Sequence, residues 1–411
     1  MLKRKNTFVI AVAVLFTPIF YSPILVQVDT IFVEDLFVED EFMETFHESF
    51  VYEFGEDFVY NQTKSMEQVA ELHQTFPVNR VGETMFPAFY GGSFICEEGY
   101  LTTLLVEGVL QPRNLRILGS VGVASYSYAE LNQLIEVFAL QMSNPVVDTS
   151  NISTVWLDTS ANKIIIELYV LNEDTVRAVE ETIMSHSALY FVRIYDTPLP
   201  LGEGNDFSEE VLSPRSFAMP PGAAISQTLN GTNNRSVGYR VRDRNGHLGF
   251  VTAAHSGSGF LNLGQRFYSG SPRRFVGEVR AISRPHDAAF VRLPIGANLS
   301  DQAINGLLIR SVITNPVQGG TVTRISAGGS SSPLASNGVI RSTNVVVSLN
   351  GSSVQTVEVL GMQAASGDSG GIIVHRTTTP TIGGIIVASR TSSNFYVRAS
   401  RINPALNLTT N

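Results

Sequence analysis

Apolar residues recur at helical spacing in the first half of the chain. The run Ala129–Ser143 carries apolar residues three and four positions apart, which predicts a helix with one buried face. A second helix is predicted to begin at Asn172, with Val176, Val179 and Ile183 on its apolar face. The β-branched and apolar runs that predict strands nearby are Ile164–Val170 and Leu189–Tyr195. This part of the chain is therefore predicted to be an α+β region of short elements.

The second half of the chain shows a period of two, with no helical period until its very end. Apolar and polar residues alternate on both sides of Asn245-Gly246, and Asn350-Gly351 separates two further apolar runs. Asn-Gly pairs favour the left-handed backbone of two-residue turns, so both places predict β-hairpins. Many short strands with Gly and Asn turns indicate an all-β sandwich or barrel from about residue 222 onward.

Proline and glycine separate these two halves. Eight such residues lie between positions 198 and 222, which predicts a linker there. The predicted organisation is a signal peptide or anchor at 1–27, an acidic leader at 28–84, an α+β region at 85–200, a linker at 201–221 and an all-β domain at 222–411.

The N-terminus carries the pattern of an export signal. Lys3, Arg4 and Lys5 precede an apolar run from Phe8 to about Val26. Positive charge followed by an apolar stretch is typical of a secretory signal peptide. An uncleaved membrane anchor is the alternative, because the run approaches the ~20 residues that span a bilayer, although prolines interrupt it.

Composition narrows the class of protein. The chain has 411 residues, of which 44% are hydrophobic and 16% are charged. These values exclude a disordered or collagen-like chain and supply enough apolar material for a sizeable core. Cys96 is the single cysteine, so an internal disulfide and a cysteine-cluster zinc site are both excluded. Neither a metal nor a cofactor is predicted.

Charge is divided unequally along the chain. Residues 1–214 hold 10 Lys and Arg against 31 Asp and Glu, a net charge of −21, whereas residues 215–411 hold 18 against 6, a net charge of +12. This asymmetry predicts either two parts that attract each other or a basic part that binds an acidic partner. A nucleic-acid partner is not expected, because the 18 basic residues of the second part are all scattered arginines.

The strongest chemical motif is the segment 367–371, Gly-Asp-Ser-Gly-Gly. A serine between glycines can stand on a sharp turn with its hydroxyl exposed, but it is a poor nucleophile until a neighbouring base takes its proton. His255 and Asp287 each stand at the edge of an apolar, strand-like run. A carboxylate on the second imidazole nitrogen fixes the tautomer and orientation of the base, which Asp287 can do for His255.

These residues follow one another in the order His, Asp, Ser, and their segments resemble a known family. TAAH at 252–255, DAAFVRL at 287–293 and GDSGG at 367–371 resemble the chymotrypsin-like serine endopeptidases, within them the bacterial streptogrisins and α-lytic protease. The separations, 32 residues from His255 to Asp287 and 82 from there to Ser369, are similar to that branch as well. The resemblance covers about residues 222–411.

The resemblance implies a fold and three roles. The fold would be two antiparallel β-barrels, over about 222–295 and 305–405, with the catalytic site in the cleft between them. Ser369 would be the nucleophile, His255 the general base and then the general acid, and Asp287 the carboxylate that orients the imidazole. These three residues are the predicted catalytic set.

The same resemblance extends to the surroundings of the serine. The backbone amides of Gly367 and Ser369 would form the oxyanion hole. After maturation Asp368 would meet a charged N-terminus or another local cation, and the sequence leaves open which. His286 would compete as the base only if Asp287 were misaligned. The cysteines that the family places after the catalytic histidine and before GDSGG are absent, so its usual bridges are absent too.

The resemblance also indicates where the walls of a specificity pocket should lie. Its walls should come from Met362–Ser366 and Val387–Ser393. The substrate-binding residues predicted there are Gln363, Ala388 and Ser389. The family often has a Ser-Gly-Gly stretch in the second wall, so valine at position 387 removes a serine that would support Asp287. Arg390 either restricts the pocket or favours acidic side chains, and an Arg/Lys preference is not expected.

Together these features predict a secreted serine endopeptidase that hydrolyses polypeptides and is made as a precursor. The resemblance implies that residues 85–200 form an α+β pro-region, which precedes the all-β protease domain of two chymotrypsin-like barrels. The acidic pro-region is expected to act on the basic domain as an intramolecular inhibitor and folding aid. A membrane is a partner only if the N-terminal segment stays uncleaved. The alternative is a catalytically inactive, secreted, protease-like binding module, since the wall at 387–390 departs from the family pattern.

Overall fold

The computed structural model describes residues 51–79, 84–113, 115–201, 218–229, 234–256, 259–270, 274–327, 332–377 and 380–410. The predicted signal segment, the first part of the acidic leader and most of the predicted linker lie outside the described residues. The elements of the N-terminal part are α1 (Glu56–Gln74), β1 (Tyr90–Ile95), β2 (Leu101–Val106), β3 (Ser120–Ala124), α2 (Tyr128–Met142), β4 (Ile152–Asp158), β5 (Lys163–Leu168), α3 (Glu173–Thr182) and β6 (Leu189–Arg193).

The C-terminal part consists almost entirely of strands. After β7 (Leu199–Pro200), which ends the N-terminal part, its elements are β8 (Ala218–Met219), β9 (Ala224–Ser226), β10 (Asn234–Ser236), β11 (Arg240–Asp243), β12 (Leu248–Ala253), β13 (His255–Ser256), β14 (Gly259–Phe260), β15 (Arg266–Ser269), β16 (Arg274–Ser283), a 3₁₀ helix (Arg284–His286), β17 (Ala288–Arg292), β18 (Asn298–Leu299), β19 (Arg310–Ile313), β20 (Thr321–Ile325), β21 (Ala335–Leu349), β22 (Ser352–Leu360), β23 (Ile372–His375), β24 (Thr381–Arg390), β25 (Ser393–Arg398), α4 (Ala399–Leu406) and β26 (Leu408–Thr409).

The two helices predicted from apolar spacing are confirmed as α2 and α3. Helix α2 begins after Ser127, whose hydroxyl accepts the Glu130 amide at 3.1 Å. Its buried face is Leu131, Ile135 and Phe138, which pack in one apolar cluster with residues of β4 and β5. Helix α3 begins after Asn172, whose side chain accepts the amide three residues on in a capping box. Local capping and helical spacing therefore suffice to define both helices.

The first barrel is built from strands between residues 224 and 292, and the C-terminal strand β26 pairs with one of them. Its sheet follows the order β10-β9-β15-β16-β17-β12-β11-β26, with antiparallel pairing throughout. The segment that contains β10 and β11 pairs with β9 at one end and with β12 at the other, which closes the barrel. The predicted hairpin at Asn245-Gly246 is confirmed as the turn between β11 and β12, where Gly246 has a φ of 80°.

The second barrel is built from six strands between residues 321 and 398. They follow the order β20-β23-β24-β25-β22-β21, and β20 also pairs with β21, which closes the ring. The predicted hairpin at Asn350-Gly351 is confirmed as the turn between β21 and β22, with φ of 49° and 73°. Both residues tolerate this left-handed backbone, which a two-residue turn of this type needs.

Strand β21 is long enough to pair with strands from both parts of the chain. Its first half closes the second barrel, whereas its second half pairs with β4, with Val345 opposite Trp156. Strands β4, β5 and β6 therefore continue the sheet of the second barrel. Helix α1 also contacts this barrel through a hydrogen bond, in which Gln62 Oε1 accepts the Thr321 amide at 3.0 Å. The predicted fold class, an α+β region followed by two antiparallel β-barrels, is confirmed.

Candidate active site

Two adjacent strands of the first barrel bring His255 and Asp287 together. Strand β12 pairs antiparallel with β17, and Ala253 at the end of one stands opposite Ala288 at the start of the other. The residues just beyond this pair lie side by side, because antiparallel strands end at the same edge of a sheet. His255 Nδ1 consequently lies 2.5 Å from Asp287 Oδ2.

Ser369 reaches this pair from the second barrel, on the loop between β22 and β23. Its Oγ lies 2.7 Å from His255 Nε2. All three side chains are buried. The structure thus brings together the three predicted catalytic residues in a line along which a hydroxyl can pass its proton to an imidazole held by a carboxylate.

Main-chain amides hold the carboxylate of Asp287. Its Oδ1 accepts the amide of His255 at 2.7 Å and the amide of Ala254 at 3.2 Å. Asp287 itself has a φ of 42°, a conformation that Asp adopts more readily than most residues. The orientation of this carboxylate therefore rests on backbone donors of its own barrel, and the valine at position 387 does not leave it unsupported.

The loop that carries Ser369 is fixed by hydrogen bonds to the first barrel. Ser236 donates its hydroxyl to the Gly367 carbonyl at 3.0 Å and its amide to the Ser369 carbonyl at 2.9 Å. Gly370 has a φ of 84°, and a Cβ there would lie 2.7 Å from the Ser236 carbonyl oxygen. Only glycine suits this position, since both the backbone conformation and the space exclude a side chain.

Asp368 meets an internal arginine, which answers the question that the sequence left open. Arg324 Nη1 lies 2.8 Å from Asp368 Oδ1, and both side chains are fully buried. Asp368 also accepts the hydroxyls of Ser326 at 2.7 Å and Ser332 at 2.8 Å. Burial lowers the pKa of the Arg324 guanidinium, and the charge of Asp368 opposes that shift. This pair anchors the residue next to Ser369 within the second barrel.

The two amides predicted for the oxyanion hole flank Asp368 on the same loop. Gly367 has a φ of 98°, which turns the chain sharply before Ser369. Within the described ranges, neither the Gly367 amide nor the Ser369 amide donates to a protein acceptor. Buried backbone N–H groups are usually paired, so two free amides beside a nucleophile are available for a developing negative charge.

A segment of the N-terminal part lies in the cleft. Strand β7 pairs antiparallel with β24, with Pro200 opposite Ala388 and Leu199 opposite Ser389. Leu201 donates its amide to the Val387 carbonyl at 3.1 Å, and its own carbonyl oxygen lies 2.9 Å from His255 Nε2. The predicted substrate-binding residues Ala388 and Ser389 are thus paired with a backbone of this same chain.

The third predicted substrate-binding residue, Gln363, has an exposed side chain, and its backbone amide donates to Ser336 Oγ at 2.8 Å. Its neighbour Met362 is buried in one apolar cluster with Leu201. The sequence prediction did not include the carbonyl of Val387 or the side chain of Met362, although both stand in the segments named as pocket walls. Every residue has a backbone carbonyl, so the residue types do not indicate that the carbonyl of Val387 pairs with this segment.

Arg390 is occupied by carboxylates and is not free to bind an acidic substrate. It contacts Glu167 at 2.7 Å and also Glu358, and all three side chains are buried. Its Nε donates to Ser393 Oγ at 2.8 Å. Burial works against the charge of Arg390, but the two carboxylates outweigh burial and raise its pKa. Glu167 belongs to β5, so this cluster joins the N-terminal part to the pocket wall.

The other histidines near these strands have different partners. His286 Nδ1 lies 2.7 Å from Ser283 Oγ, and burial together with Arg401 lowers the pKa of His286. His375 is fully buried, and burial lowers its pKa to about 4, so it is neutral at pH 7. Neither stands in the arrangement that His255 has with a hydroxyl on one side and a carboxylate on the other.

The described residues hold no group of three or more His, Cys, Asp and Glu side chains placed to bind a metal ion. Cys96 lies in the turn after β1 and is partly buried. Among the helices that the structure describes, none combines the length and the apolar character needed to cross a bilayer.

Two closed antiparallel barrels meet at a site where one contributes a histidine and an aspartate and the other contributes a serine in a Gly-Asp-Ser-Gly-Gly turn. The chain has a chymotrypsin-like fold. The resemblance found in the three segments around His255, Asp287 and Ser369 is therefore matched by the fold of residues 218–410.

No protein-family model and no curated protein sequence matches this chain. Among solved structures it is similar to a protease of Nocardiopsis, at 24% identity over 47% of this chain and 98% of that one, with a TM-score of 0.36. Chymotrypsin of Cellulomonas bogoriensis is similar at 24% identity, 47% and 98% coverage and a TM-score of 0.37. For protease A of Thermobifida fusca the values are 22%, 47%, 97% and 0.38. The strand pairing of the two closed barrels defines the fold.

Proposed function

We propose that this protein is a secreted serine endopeptidase, made as a precursor, that hydrolyses peptide bonds through Ser369, His255 and Asp287. The observation that carries the proposal is the line of contacts from Ser369 Oγ to His255 Nε2 at 2.7 Å and from His255 Nδ1 to Asp287 Oδ2 at 2.5 Å. Hydrolysis through a serine needs a nucleophilic hydroxyl, a base that takes its proton and a carboxylate that orients the base.

In the proposed reaction Ser369 Oγ attacks the carbonyl carbon of the substrate while its proton passes to His255 Nε2. The oxyanion is stabilised by the amides of Gly367 and Ser369, which have no protein acceptor among the described residues. The C–N bond then breaks, and His255 returns the proton to the leaving amine. Water, activated by the same imidazole, hydrolyses the acyl-enzyme and restores the serine. Asp287 stabilises the charged imidazole in both halves of the reaction.

The precursor part of the proposal is supported by what occupies the cleft. Leu199–Leu201 pairs with the wall that a substrate would use, and the Leu201 carbonyl oxygen takes a place beside His255. The continuous sheet through β21 and β4 and the contact of Glu167 with Arg390 add to this interface. We propose that the acidic N-terminal part is an intramolecular inhibitor and folding aid for the basic C-terminal part.

The secretion part of the proposal is supported by the sequence pattern at Lys3–Lys5 and the apolar run behind it, which lie outside the described residues. N-terminal sequencing of material from the culture medium checks it. Recovery of the chain only from membranes would instead support an uncleaved anchor.

Labelling by a fluorophosphonate tests the chemistry, because the reagent reacts only with an activated serine. The wild-type chain is expected to be labelled over hours, since the Leu201 segment must leave the cleft first. Ser369→Ala should abolish labelling and lower peptide hydrolysis by about 10⁴- to 10⁶-fold. Ser348→Ala is the matched control, because Ser348 is exposed on β21, outside the predicted pocket walls, and should leave both intact.

Two outcomes would contradict the proposal. A wild-type chain that neither labels nor hydrolyses casein after removal of the N-terminal part would be the protease-like binding module that the sequence left as the alternative. Hydrolysis that persists at wild-type rates in the Ser369→Ala variant would mean that another residue performs the chemistry.

A further inference from the structure

The segment in the cleft has the direction and the contacts of a substrate backbone. Strand β7 runs antiparallel to β24, and the Leu201 amide donates to the Val387 carbonyl at 3.1 Å. The next polar group along the chain, the Leu201 carbonyl, has its oxygen 2.9 Å from His255 Nε2, whose other neighbour is Ser369 Oγ at 2.7 Å. Leu201 is therefore the residue whose carbonyl lies at the reacting atoms.

The side chain of Leu201 occupies an apolar site. Only 3% of Leu201 is exposed, whereas 61% of Leu199 is exposed two residues earlier on the same strand. Leu201 shares one buried cluster with Met362, Ile386 and Tyr396 of the second barrel. A single side chain of this segment is thus enclosed, and the atoms that enclose it are mainly hydrocarbon.

The charged groups near this apolar cluster already have partners of opposite charge. Arg390 and Glu358 pair with each other, and Glu167 adds a second carboxylate to the arginine. His375, which faces Tyr396 at 3.5 Å, is neutral at pH 7 because burial lowers its pKa to about 4. A charged side chain in the place of Leu201 would find no free partner among the described residues and would lose its hydration.

We infer that the protease cuts after leucine and similar aliphatic side chains, and that its own chain is cut at the peptide bond that follows Leu201. This inference rests on the proposed function. Ser369 Oγ forms a bond with the Leu201 carbonyl carbon and loses its proton to His255. The Leu201–Gly202 C–N bond breaks, and the amine of Gly202 takes that proton. Water then hydrolyses the ester, which leaves a carboxylate on Leu201 and free Ser369.

The position of the Leu201 oxygen also fits the product of this cut. A carbonyl or carboxylate oxygen can only accept, so its contact with His255 Nε2 is a hydrogen bond when Nε2 carries a proton. In the proposed product complex Nε2 donates to the Leu201 carboxylate and Nδ1 donates to Asp287, so each imidazole nitrogen faces a carboxylate acceptor. The cut segment would therefore remain bound as a product inhibitor until the N-terminal part dissociates or is degraded.

Three variants of the full chain test the cut directly. Leu201→Asp should slow the appearance of a mature chain that begins at Gly202 by at least about 100-fold, because a charge replaces the enclosed aliphatic group. Leu199→Asp is the matched control on the exposed side of the strand and should change the rate by less than about threefold. Leu201→Met, which keeps an apolar side chain of similar volume, should process at a rate close to that of the wild type.

A second measurement keeps the inference testable if Leu201→Asp fails to fold. Mature wild-type enzyme is given acetyl-Leu-Pro-Leu, acetyl-Leu-Pro-Asp and acetyl-Leu-Pro-Arg p-nitroanilides. The leucine substrate should show a kcat/KM at least about 100-fold above the two charged ones. Equal or higher values for a charged substrate would overturn the leucine specificity.

The outcomes also separate this inference from the proposed function. If the wild type is labelled by a fluorophosphonate but its mature chain begins elsewhere than Gly202, the inference is overturned and the endopeptidase proposal stands. If the Ser369→Ala chain is also cut after Leu201 by the expression host, self-cleavage is overturned. If the wild type is not labelled at all, the proposed function itself fails.

Discussion

Two buried arginines, one paired with the neighbour of Ser369 and one in the predicted pocket wall, have partners from different parts of the chain. Arg324 pairs with Asp368 at 2.8 Å, and both belong to the C-terminal part. Arg390 pairs with Glu358 of the same part and with Glu167 of the N-terminal part. The loop that carries Ser369 is therefore held by an ion pair within the C-terminal part. The charge of Arg390 in the predicted pocket wall is instead neutralised partly by a carboxylate of the N-terminal part.

The Arg324–Asp368 pair and the Arg390 cluster therefore stabilise different features of the molecule. Breaking a buried ion pair leaves an uncompensated charge, which costs several kcal/mol, so each cluster is a point where one substitution has a large effect. Loss of the Arg324–Asp368 pair should disturb the loop that carries Ser369 under all conditions. Loss of the carboxylate of Glu167 should disturb the contact between the two parts and leave Arg390 with Glu358.

The largest effect is expected from Asp368→Ala in the full-length Ser369→Ala chain. Arg324 would remain fully buried without its carboxylate, so the free energy of unfolding should fall by about 3–5 kcal/mol. Urea denaturation followed by tryptophan fluorescence measures it. The double variant Asp368→Ala with Arg324→Met removes the orphaned charge as well and should recover part of that loss. A loss below about 1 kcal/mol for the single variant would contradict a stabilising role of the Arg324–Asp368 pair.

A smaller effect is expected from Glu167→Gln in the same background. One carboxylate of the Arg390 cluster becomes neutral while Glu358 remains, so the free energy of unfolding should fall by about 1–3 kcal/mol. Glu136→Gln is the matched control, since Glu136 contacts Arg401 at 3.4 Å across the same two parts but is 57% exposed. That pair should contribute less than about 1 kcal/mol. Equal losses for the two variants would contradict a special role of the buried cluster.

The remaining expected effect is a dependence of stability on pH, which can be measured separately for the two parts. Burial lowers the pKa of His73 in α1 and of His375 in β23 to about 4 in each case. The unfolded chain takes up these protons near pH 6.5 and the folded chain does not, so this stability is present above pH 6.5 and is lost as pH falls toward 4. The slope should reach about 1.4 kcal/mol per pH unit for each histidine.

Substitution distinguishes the two histidines. His73→Gln should flatten the pH dependence of unfolding between pH 6.5 and 4 by one proton, and His375→Gln should do the same independently. Denaturation curves at several pH values measure both slopes. An unchanged slope in either variant would show that the corresponding histidine does not remain neutral in the folded chain.

Local patterns made several features predictable. The face of α2, the cap at Asn172 and the turns at Asn245-Gly246 and Asn350-Gly351 depend on residues within a few positions of one another, so spacing and turn chemistry define them. The three catalytic candidates were also found, because each stands beside an apolar run in a segment that resembles a known family. Their meeting point, however, depends on the pairing of β12 with β17 and on the packing of two barrels.

Other features had no local signal. Arg390 was expected to face the pocket, but its partners Glu167 and Glu358 lie 223 and 32 residues away along the chain. The partner of Asp368 could not be named for the same reason, since any of many arginines had the right charge. The Leu-Pro-Leu run at 199–201 looked like part of a linker, although the structure uses it as a strand in the cleft.

The amino-acid sequence by itself determined the helical and hairpin segments, the uneven charge of the two halves and the identity of a serine, a histidine and an aspartate suited to one reaction. These properties follow from residue type and short-range spacing. Only the tertiary structure decided which arginine neutralises Asp368, which carboxylates enclose Arg390 and which residue lies against His255. Such pairings depend on burial and on distances between segments far apart in the chain, and charge and hydrogen bonding choose a partner only after the fold has brought the candidates within reach.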